Sequence, residues 1–373
     1  MISLFRLIGE RFQGMPWRLV LTAYLIIGFG LLNLYSSTDA FQNASRFWDQ
    51  IVFVGLGTCV MLFLGLGLEL KRLERLGLAI YIFICFLLLA VDIMGHSAKG
   101  AERWLVVGSV RIQPSEFAKF AIILMIARSF EHMRRAHEVG LIALWRQALW
   151  VAIPCLLILA QPDLGTASLI FLIALLQIAT VRIPLRSVLW LSGVGLILGI
   201  LAWNFVLYDY QKQRVLTFIN PMRDPKGSGY HSLQSMIAVG SGGFWGQGFG
   251  QGSQTRLNFL PERHTDFAFS VWAEEHGFAG CIVLLALFCV FIGQIVMVSH
   301  KARDSFSTFV SMGVAVFFMC HMLINVSMVL GLFPVVGVPL SFVSYGGTHM
   351  ITALACLGLV VAVERRRVNS FGA

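Results

Sequence analysis

The sequence predicts an all-α membrane protein with about ten transmembrane helices, and three observations support this fold class. Of the 373 residues, 57% are hydrophobic and only 13% are charged, whereas a soluble domain carries about 25% charged residues. The mean hydropathy is +0.79. Apolar runs also recur at the length of about 20 residues that a helix needs to cross the hydrocarbon layer. These runs predict helices rather than strands, because in lipid a helix satisfies its own backbone hydrogen bonds.

Ten apolar segments reach or approach this length. They comprise residues 17–36, 50–68, 76–95, 114–130, 147–160, 165–181, 186–207, 267–298, 306–333 and 344–363. The fifth and sixth segments are short and share the interruption Gln161–Gly165, so a tight re-entrant hairpin is the alternative to two separate crossings. Together the segments predict a single polytopic membrane domain over residues 1–373, without an appended soluble module.

The net charge of +9 has a distribution that indicates membrane topology. With the N-terminus placed in the cytoplasm, most of the 28 Lys and Arg residues fall in cytoplasmic loops and tails. Most of the remainder belong to one long outer loop, to which the positive-inside rule gives little weight. We therefore expect both termini to be cytoplasmic. The basic charge then gives no support for a nucleic-acid partner.

Polar side chains are concentrated on the predicted outer side. Residues 208–265 form the largest segment between spans, an extracytoplasmic loop between the seventh and eighth helices that is rich in Gly, Ser, Gln and aromatic residues. Two shorter outer loops, residues 96–113 and 333–345, contain Arg103 and Ser344 respectively. The chemistry is therefore expected on the outer face.

All seven Cys residues fall in apolar spans, where we expect small buried side chains rather than disulfides.

Several familiar signatures are missing from the sequence. It contains no GxxxxGK[ST] loop for direct coupling to ATP, and no HExxH or paired CxxC for zinc. It also lacks a GxSxG segment placed before a helix, which a serine nucleophile of the hydrolase type would need. Nucleotide-driven transport, zinc chemistry and serine hydrolysis are therefore disfavoured.

Glu116 and Lys119 lie inside an apolar span and Asp163 lies between two such spans, where an ionised group is costly and therefore a functional candidate. Glu116 and Lys119 are three residues apart and share one face of the fourth helix. They form either a self-neutralising ion pair, or a site in which Glu116 holds Lys119 toward a cavity as a phosphate ligand. Asp163 either caps the sixth helix through its carboxylate or takes part in catalysis.

The most informative polar cluster lies where the long outer loop enters the eighth span. Glu262, Arg263, His264 and Asp266 occupy this junction. An acid that is partly desolvated at the membrane surface has a raised pKa, which suits a general base. In the simpler explanation, Thr265 or Asp266 caps the helix and the other charges are solvated.

Transfer of a sugar from a diphosphate carrier requires a base for the acceptor hydroxyl and cationic groups for the leaving phosphates. Asp266 is the candidate base. Four basic residues are candidate phosphate ligands: Lys119, Arg103, Arg214 and Arg263. The glycine-rich residues 240–250 permit close backbone approach to a glycan or pyrophosphate, or form a merely flexible loop.

The order and spacing of several motifs resemble the SEDS family of membrane proteins over almost the whole chain. The motifs are Ile112–Lys119, Gln161–Gly165, Asn220-Pro221, Gly229–His231, Gln234-Ser235, Gly240–Gly243, Leu260–Phe267, Glu274-Glu275, Asn325, Gly331-Leu332, Pro334, Gly337, Pro339 and Ser344–Gly347. The short N-terminal tail and the Glu-Arg-His-Thr-Asp motif favour the elongation branch of the family. Gln247 stands where a Lys is common, which argues against phosphate binding at that position.

The resemblance implies a peptidoglycan glycosyltransferase that polymerises lipid II during cell elongation and shape maintenance. Asp266 is then the essential acid, which deprotonates the acceptor 4-hydroxyl. The activated oxygen attacks the anomeric carbon of the growing chain and expels undecaprenyl diphosphate with inversion. Other residues expected to bind substrate or to be functionally sensitive are Glu116, Lys119, Asp163, Arg103, Arg214, Glu262, Arg263, His264 and Ser344.

The resemblance also implies a location in the bacterial cytoplasmic (inner) membrane, with an extracytoplasmic active face. The expected partners are lipid II, the nascent glycan, a class B penicillin-binding protein that acts as transpeptidase, and other membrane proteins of the elongation complex. No tightly bound cofactor is expected, and a divalent cation (Mg²⁺ or Mn²⁺) near the diphosphates is compatible with this chemistry.

Two other functions fit the same helices and polar residues. A lipid II flippase would move its substrate without bond chemistry, and a scaffold would only support a transpeptidase. The candidate residues concentrate at the outer surface rather than along a two-sided path near the midplane, which argues against the flippase. The scaffold leaves the buried charges without a role. The sequence therefore favours the glycosyltransferase.

Overall fold

The computed structural model describes residues 14–38, 44–94, 96–98, 101–107, 110–131, 144–181, 183–205, 207–220, 227–257, 259–260 and 262–369. All ten segments predicted to span the membrane are helical in these ranges. In chain order the elements are α1 (Trp17–Ser37), α2 (Ala44–Leu62, continued by a π-helical turn, Phe63–Gly67), α3 (Leu70–Met94), β1 (His96–Ala98), β2 (Ala101–Val107), β3 (Val110–Ile112), α4 (Pro114–Glu131), α5 (Trp145–Ala160), α6 (Leu164–Ile178), α7 (Leu185–Phe205), α8 (Asp209–Ile219), α9 (Ser228–Ser241), α10 (Ser253–Arg256), α11 (Ala268–Lys301), α12 (Ser305–Val329) and α13 (Gly347–Asn369).

Seven of these helices are long and apolar enough to cross a membrane, namely α1, α2, α3, α7, α11, α12 and α13. Two further apolar helices, α5 and α6, have only 16 and 15 residues. The 18-residue helix α4 includes four charged residues. The predicted class, an all-α membrane protein, is confirmed. The count of ten crossings and their orientation stay predictions.

The regions between the spans contain regular structure that the sequence did not predict. Strands β1, β2 and β3 form a small antiparallel sheet within the predicted outer loop 96–113. The long loop 208–265 contains the helices α8, α9 and α10. These elements are short and lie in polar loops. Their hydrophobic pattern is therefore weak compared with the long apolar runs that predict the spans.

The helices α4, α12 and α13 form the centre of the bundle, and most of their side chains are buried. Helix α4 packs against α3, α6 and α12, whereas α11 packs against α1 and α12, and α13 against α2. The outer helices expose large apolar side chains, such as Phe83 and Phe86 of α3, as a lipid environment requires. Every described side chain of α7 is at least partly exposed.

The glycine-rich residues 240–250 pack directly against the backbone of α11. Helix α11 is interrupted at Gly277, whose φ of 64° and ψ of −165° are not helical. The amides of Phe278 and Ala279, which follow the break, donate to the carbonyl oxygens of Gly243 (2.9 Å) and Phe244 (3.0 Å). These contacts place the glycine-rich residues in an ordered turn on α11.

Two glycines of this turn, Gly242 and Gly246, are required by the closeness of the two backbones. A Cβ on Gly246, where φ is +84°, would overlap with the carbonyl group of Glu275. The amide of Gln247 donates to Glu274 O at 3.0 Å, which fixes the turn from the other side. Neither interpretation from the sequence, a flexible loop or a backbone surface for a glycan, describes this packing role.

Replacement of Gly277 by alanine tests this packing. A Cβ at this position would lie 2.7 Å from Phe244 O, and the positive φ disfavours any L side chain. We expect Gly277→Ala to lower the free energy of unfolding by at least about 1 kcal/mol. Thermal unfolding of the purified protein in detergent measures the loss.

The matched control is Gly293→Ala in the same helix, where an added Cβ has open space and the backbone is helical. This substitution is expected to leave stability unchanged or to raise it by up to about 1 kcal/mol, since alanine favours helix over glycine. Equal stability of the two variants would contradict the packing role of Gly277.

Candidate functional site

Asp266 lies in a tight turn immediately before α11. Glu262, with a φ of 52°, begins the turn, and its carbonyl oxygen accepts from the amides of Thr265 (3.1 Å) and Phe267 (3.3 Å). The predicted capping role of Thr265 or Asp266 is wrong, because Phe267 occupies the N-cap and its side chain makes no capping hydrogen bond. The Thr265 hydroxyl instead donates to the Glu262 carboxylate at 3.1 Å. Asp266 itself is partly exposed.

The α12–α13 loop (residues 330–346) runs beside this turn. A Cβ built on Gly337, which is exposed and has a φ of +74°, would lie 3.4 Å from Asp266 Oδ2. The Asn325 amide of α12 donates to both Asp266 O (2.8 Å) and Val338 O (2.7 Å). The Tyr345 amide donates to His264 O at 2.7 Å. The loop therefore forms one wall of the surface around the Asp266 carboxylate.

Arg46 of α2 belongs to the same surface, although its sequence context does not distinguish it from other basic residues. Its guanidinium group is hydrogen-bonded to Nε2 of His264. Partial burial lowers the pKa of His264 to about 4, and the nearby charges of Arg46 and Arg263 add to this shift. His264 is therefore neutral at physiological pH, with Nε2 as an acceptor for Arg46.

The other basic candidates have different surroundings. Arg263 is buried, and its guanidinium group donates to the carbonyl oxygen of Thr255 at α10. Arg214 of α8 is exposed and lines a shallow cleft with Ser232 of α9 and with Pro334 of the α12–α13 loop. Arg103 lies on β2, and its side chain is outside the described residues.

Glu116 and Lys119 form a buried ion pair with a separation of 2.8 Å between Oε1 and Nζ. The pair extends to two histidines. Lys119 Nζ donates to Nε2 of His321 at 3.3 Å, and Nδ1 of His349 donates to Glu116 Oε2 at 2.8 Å. The predicted pair is confirmed, but all four side chains are buried. Direct contact of Lys119 with a phosphate stays a prediction.

The two histidines connect the ion pair to the α12–α13 loop. Nδ1 of His321 donates to Pro339 O at 2.9 Å, and the hydroxyl of Ser341 donates to Nε2 of His349 at 3.2 Å. The hydroxyl of Ser344, another predicted site residue, accepts from the Leu340 amide at 2.9 Å and is buried. Both histidines were missed because an isolated histidine in an apolar helix has no sequence signature.

Asp163 is the N-cap of α6, as one sequence interpretation predicted. Its carboxylate accepts from the Thr166 amide (3.1 Å) and the Thr166 hydroxyl (2.9 Å). The side chain is buried, so its visible role is structural. The next turn reaches the α12–α13 loop, because Gly165 packs so closely on Val336 O that a Cβ would overlap with it.

The candidate site does not resemble a resident metal centre. Among the described residues, no group of three or more His, Cys, Asp or Glu side chains is arranged to hold a metal ion. Glu262 and Asp266 are carboxylates of one turn, whereas Glu116 lies deeper, in the ion pair with Lys119. Glu262 and Asp266 offer at most two carboxylates, and Mg²⁺ is usually held by one or two carboxylates together with waters and substrate phosphates.

These features define a class of protein, a polytopic helical membrane protein with a half-exposed acid and basic residues at one end of its bundle. The model of the FtsW/RodA/SpoVE family, described as "Cell cycle protein", matches residues 16–369. The chain therefore belongs to this family, and the resemblance to SEDS proteins is confirmed.

Relatives of known identity agree with this assignment. The peptidoglycan glycosyltransferase MrdB of Escherichia coli strain K12 is 38% identical over 353 residues, which cover 94% of this chain and 92% of that relative. A chain of a solved structure described as "Structural coordination of polymerization and crosslinking by a peptidoglycan synthase complex" has a TM-score of 0.80 and 30% identity, with 95% of this chain and 98% of that chain covered. The crystal structure of the rod shape determining protein RodA of Thermus thermophilus has a TM-score of 0.70 and 28% identity, with 95% and 97% covered.

The neutral state of His264 gives a prediction about pH. Its folded pKa of about 4 is below the ordinary value of 6.5. Between these values the unfolded chain binds the proton and the folded chain does not, so stability is complete above pH 6.5 and falls as the pH falls toward 4. We expect His264→Gln, which keeps an acceptor for Arg46 but does not titrate, to flatten this dependence. Thermal unfolding from pH 7 to pH 4 in detergent measures it.

His300, an exposed histidine in the last turn of α11, provides the control. We expect His300→Gln to keep the pH dependence of the wild type. If His264→Gln and the wild type lose stability equally toward pH 4, the neutral state of His264 is wrong.

Proposed function

We propose that this chain is a peptidoglycan glycosyltransferase that polymerises lipid II during cell elongation, with Asp266 as the general base. The observation that carries the proposal is the position of Asp266. It is a partly exposed carboxylate on the polar end of the bundle, in a turn that Asn325 and the α12–α13 loop hold in place. Family membership and the activity named for MrdB support the reaction class.

The reaction follows from the chemistry of a carboxylate and a sugar hydroxyl. The Asp266 carboxylate takes the proton of the acceptor 4-hydroxyl, and the oxygen attacks the anomeric carbon of the donor. The bond from that carbon to undecaprenyl diphosphate breaks, the diphosphate leaves with the bonding electrons, and the configuration inverts. Removal of a positioned general base typically costs a factor of 10² to 10⁴ in rate.

Basic side chains near Asp266 support a leaving diphosphate. Arg46 lies beside His264, two residues from Asp266, and Arg214 lines the cleft that reaches Pro334. A guanidinium group aimed at developing phosphate charge stabilises the transition state more than it stabilises the bound substrate. Arg46 and Arg214 are therefore our proposed diphosphate ligands, whereas buried Arg263 and Lys119 support the site from behind.

The orientation of the chain is the second part of the proposal. At the end of the bundle opposite Asp266, Arg366 pairs with Asp304 at 3.1 Å and Arg365 donates to Gly65 O at 2.8 Å. Because short cytoplasmic loops carry an excess of Lys and Arg, this end is assigned to the cytoplasm. Asp266 then faces the outside of the inner membrane, where lipid II polymerisation takes place.

The partner proposed for this enzyme is a class B penicillin-binding protein. Support comes from the structural neighbour, a chain of a peptidoglycan synthase complex that coordinates polymerization and crosslinking. Other membrane proteins of the elongation complex are further proposed partners. The proposal includes no tightly bound cofactor, and Mg²⁺ or Mn²⁺ bound together with the substrate diphosphate is compatible with it.

The variant Asp266→Asn tests the proposed function. Purified wild type and variant would be incubated with lipid II in detergent together with the partner transpeptidase. Glycan polymer would then be measured on gels after labelling. We expect at least a 10²-fold loss of the polymerisation rate with unchanged folding, because asparagine keeps the shape of the side chain but cannot accept the proton.

The matched control is Asp304→Asn, the same substitution at the opposite end of the bundle. Asp304 caps α12 by accepting from the amide and hydroxyl of Ser307, and asparagine is an equally good N-cap. We expect wild-type polymerisation from this variant. Detergent removes the two compartments that a flippase needs, so polymer from neither wild type nor control would favour the flippase over the enzyme.

A further inference from the structure

The Glu116–Lys119 ion pair does not touch the Asp266 carboxylate in any described contact, yet hydrogen bonds lead from the pair to the loop beside Asp266. The connection passes through His321 of α12, a residue that neither the sequence motifs nor the proposed mechanism uses. His321 is completely buried. Its two ring nitrogens have different partners, Lys119 and Pro339 O. The arrangement of these partners determines what His321 does.

Lys119 determines the tautomer of His321. An ammonium group is only a donor, so Nε2 of His321 must accept, and the ring proton is on Nδ1. That proton is then donated to Pro339 O at 2.9 Å. The ion pair therefore orients the ring and its single N–H toward the α12–α13 loop. Second-shell partners fix metal-bound and catalytic histidines in the same way.

His321 and Asn325 act on the same part of the loop. They are four residues apart on α12 and so share one face of the helix. His321 binds the carbonyl oxygen of Pro339, and Asn325 binds the preceding one, Val338 O, and also Asp266 O. Gly337, whose Cα faces the Asp266 carboxylate, comes immediately before these two residues.

His349 provides a third point of attachment. It binds Glu116 through Nδ1 and accepts from the Ser341 hydroxyl through Nε2. Each charged side chain of the ion pair is thus hydrogen-bonded to one neutral imidazole. His321 is in turn hydrogen-bonded to Pro339 O, and His349 to the Ser341 hydroxyl. A buried ion pair rarely adds stability over an apolar alternative, and its best-attested use is to specify one arrangement of the chain.

We infer that His321 is a positioning residue for Asp266: together with Asn325, it holds the backbone of the α12–α13 loop, which lies beside the Asp266 carboxylate, in the orientation set by Lys119 and Glu116. This inference rests on the proposed function. It assigns to His321 no contact with substrate and no proton transfer. A displacement of about 1 Å of a catalytic group can cost about 10²-fold in rate. Loss of the Pro339 contact is therefore expected to reduce kcat rather than substrate binding.

Three substitutions separate the two contacts of His321. Asparagine places an amide N–H near the position of Nδ1 and keeps the donor to Pro339 O. Glutamine places its amide near Nε2 and keeps a partner for Lys119 only, and phenylalanine keeps the ring shape alone. We expect kcat for lipid II polymerisation to fall about 10-fold or less in His321→Asn and about 10²-fold in His321→Gln and His321→Phe. KM should stay within about twofold throughout.

Gln177→Leu is the matched control for loss of buried hydrogen bonds. Gln177 of α6 is completely buried and donates to Ile123 O of α4 (3.1 Å) and Phe309 O of α12 (3.0 Å), so it joins the same helices as Lys119 and His321. None of its described contacts is with the α12–α13 loop. We expect lower thermal stability with kcat within about twofold of the wild type.

A double variant tests whether His321 acts through the loop. Gly337→Ala, at a φ of +74° and beside Asp266 Oδ2, disturbs the loop directly. If His321 works through the same backbone, the kcat loss of His321→Gln with Gly337→Ala is smaller than the product of the two single losses. Multiplicative losses would overturn the inference. So would wild-type kcat in His321→Gln, or equal losses in His321→Asn and His321→Gln.

Two further results keep the test decisive. If none of the His321 variants folds, Ser341→Ala removes one hydroxyl from the same set of contacts, and an unchanged kcat in that variant overturns the inference. If Asp266→Asn polymerises lipid II like the wild type, the proposed function fails. If Asp266→Asn is inactive but the His321 variants keep kcat, only the positioning role of His321 fails.

Discussion

The structure depends on how the α12–α13 loop is held. This irregular stretch lies between two central helices, and most of residues 338–344 are buried. Buried backbone without helix or sheet partners must find other hydrogen bonds, because an unpaired group costs several kcal/mol in an apolar environment. Side chains from the surrounding helices provide them, and they come from Asn325, His321 and Gln50. Two of the motifs that the sequence singled out reach this loop: Gly165 packs on Val336 O, and the Glu116–Lys119 pair is linked to the loop through His321 and His349.

The buried ion pair of Glu116 and Lys119 is best explained by this requirement. An isolated pair would cost desolvation of two charges with little return. Here each charge is also hydrogen-bonded to an imidazole, and the two imidazoles bind the loop at Pro339 O and the Ser341 hydroxyl. The pair thus contributes mainly to a single arrangement of the loop, on which the position of Asp266 depends.

The turn before α11 shows how the proposed catalytic acid, Asp266, is kept out of a capping role. A carboxylate at the N-cap would be engaged by the first amides of the helix. Because Phe267 takes that position, Asp266 lies one residue before the N-cap, and Asn325 donates to its carbonyl oxygen. By contrast, Asp163 and Asp304 are true caps, and their carboxylates accept from helix amides. The amino-acid composition does not show which of these acids caps a helix and which does not.

The sequence by itself determined the membrane class and the positions of the apolar helices. It also offered the Glu116–Lys119 pair and the cap at Asp163, each as one of two interpretations, because each follows from interactions within one or two helical turns. It also pointed to Asp266, where a polar loop enters an apolar span. Only the tertiary structure decided that Arg46 meets His264, 218 residues away, and that His321 and His349 join the ion pair to the α12–α13 loop. Such pairings depend on which helix faces pack together, and the local hydrophobic pattern that predicts each helix contains no information about its neighbours.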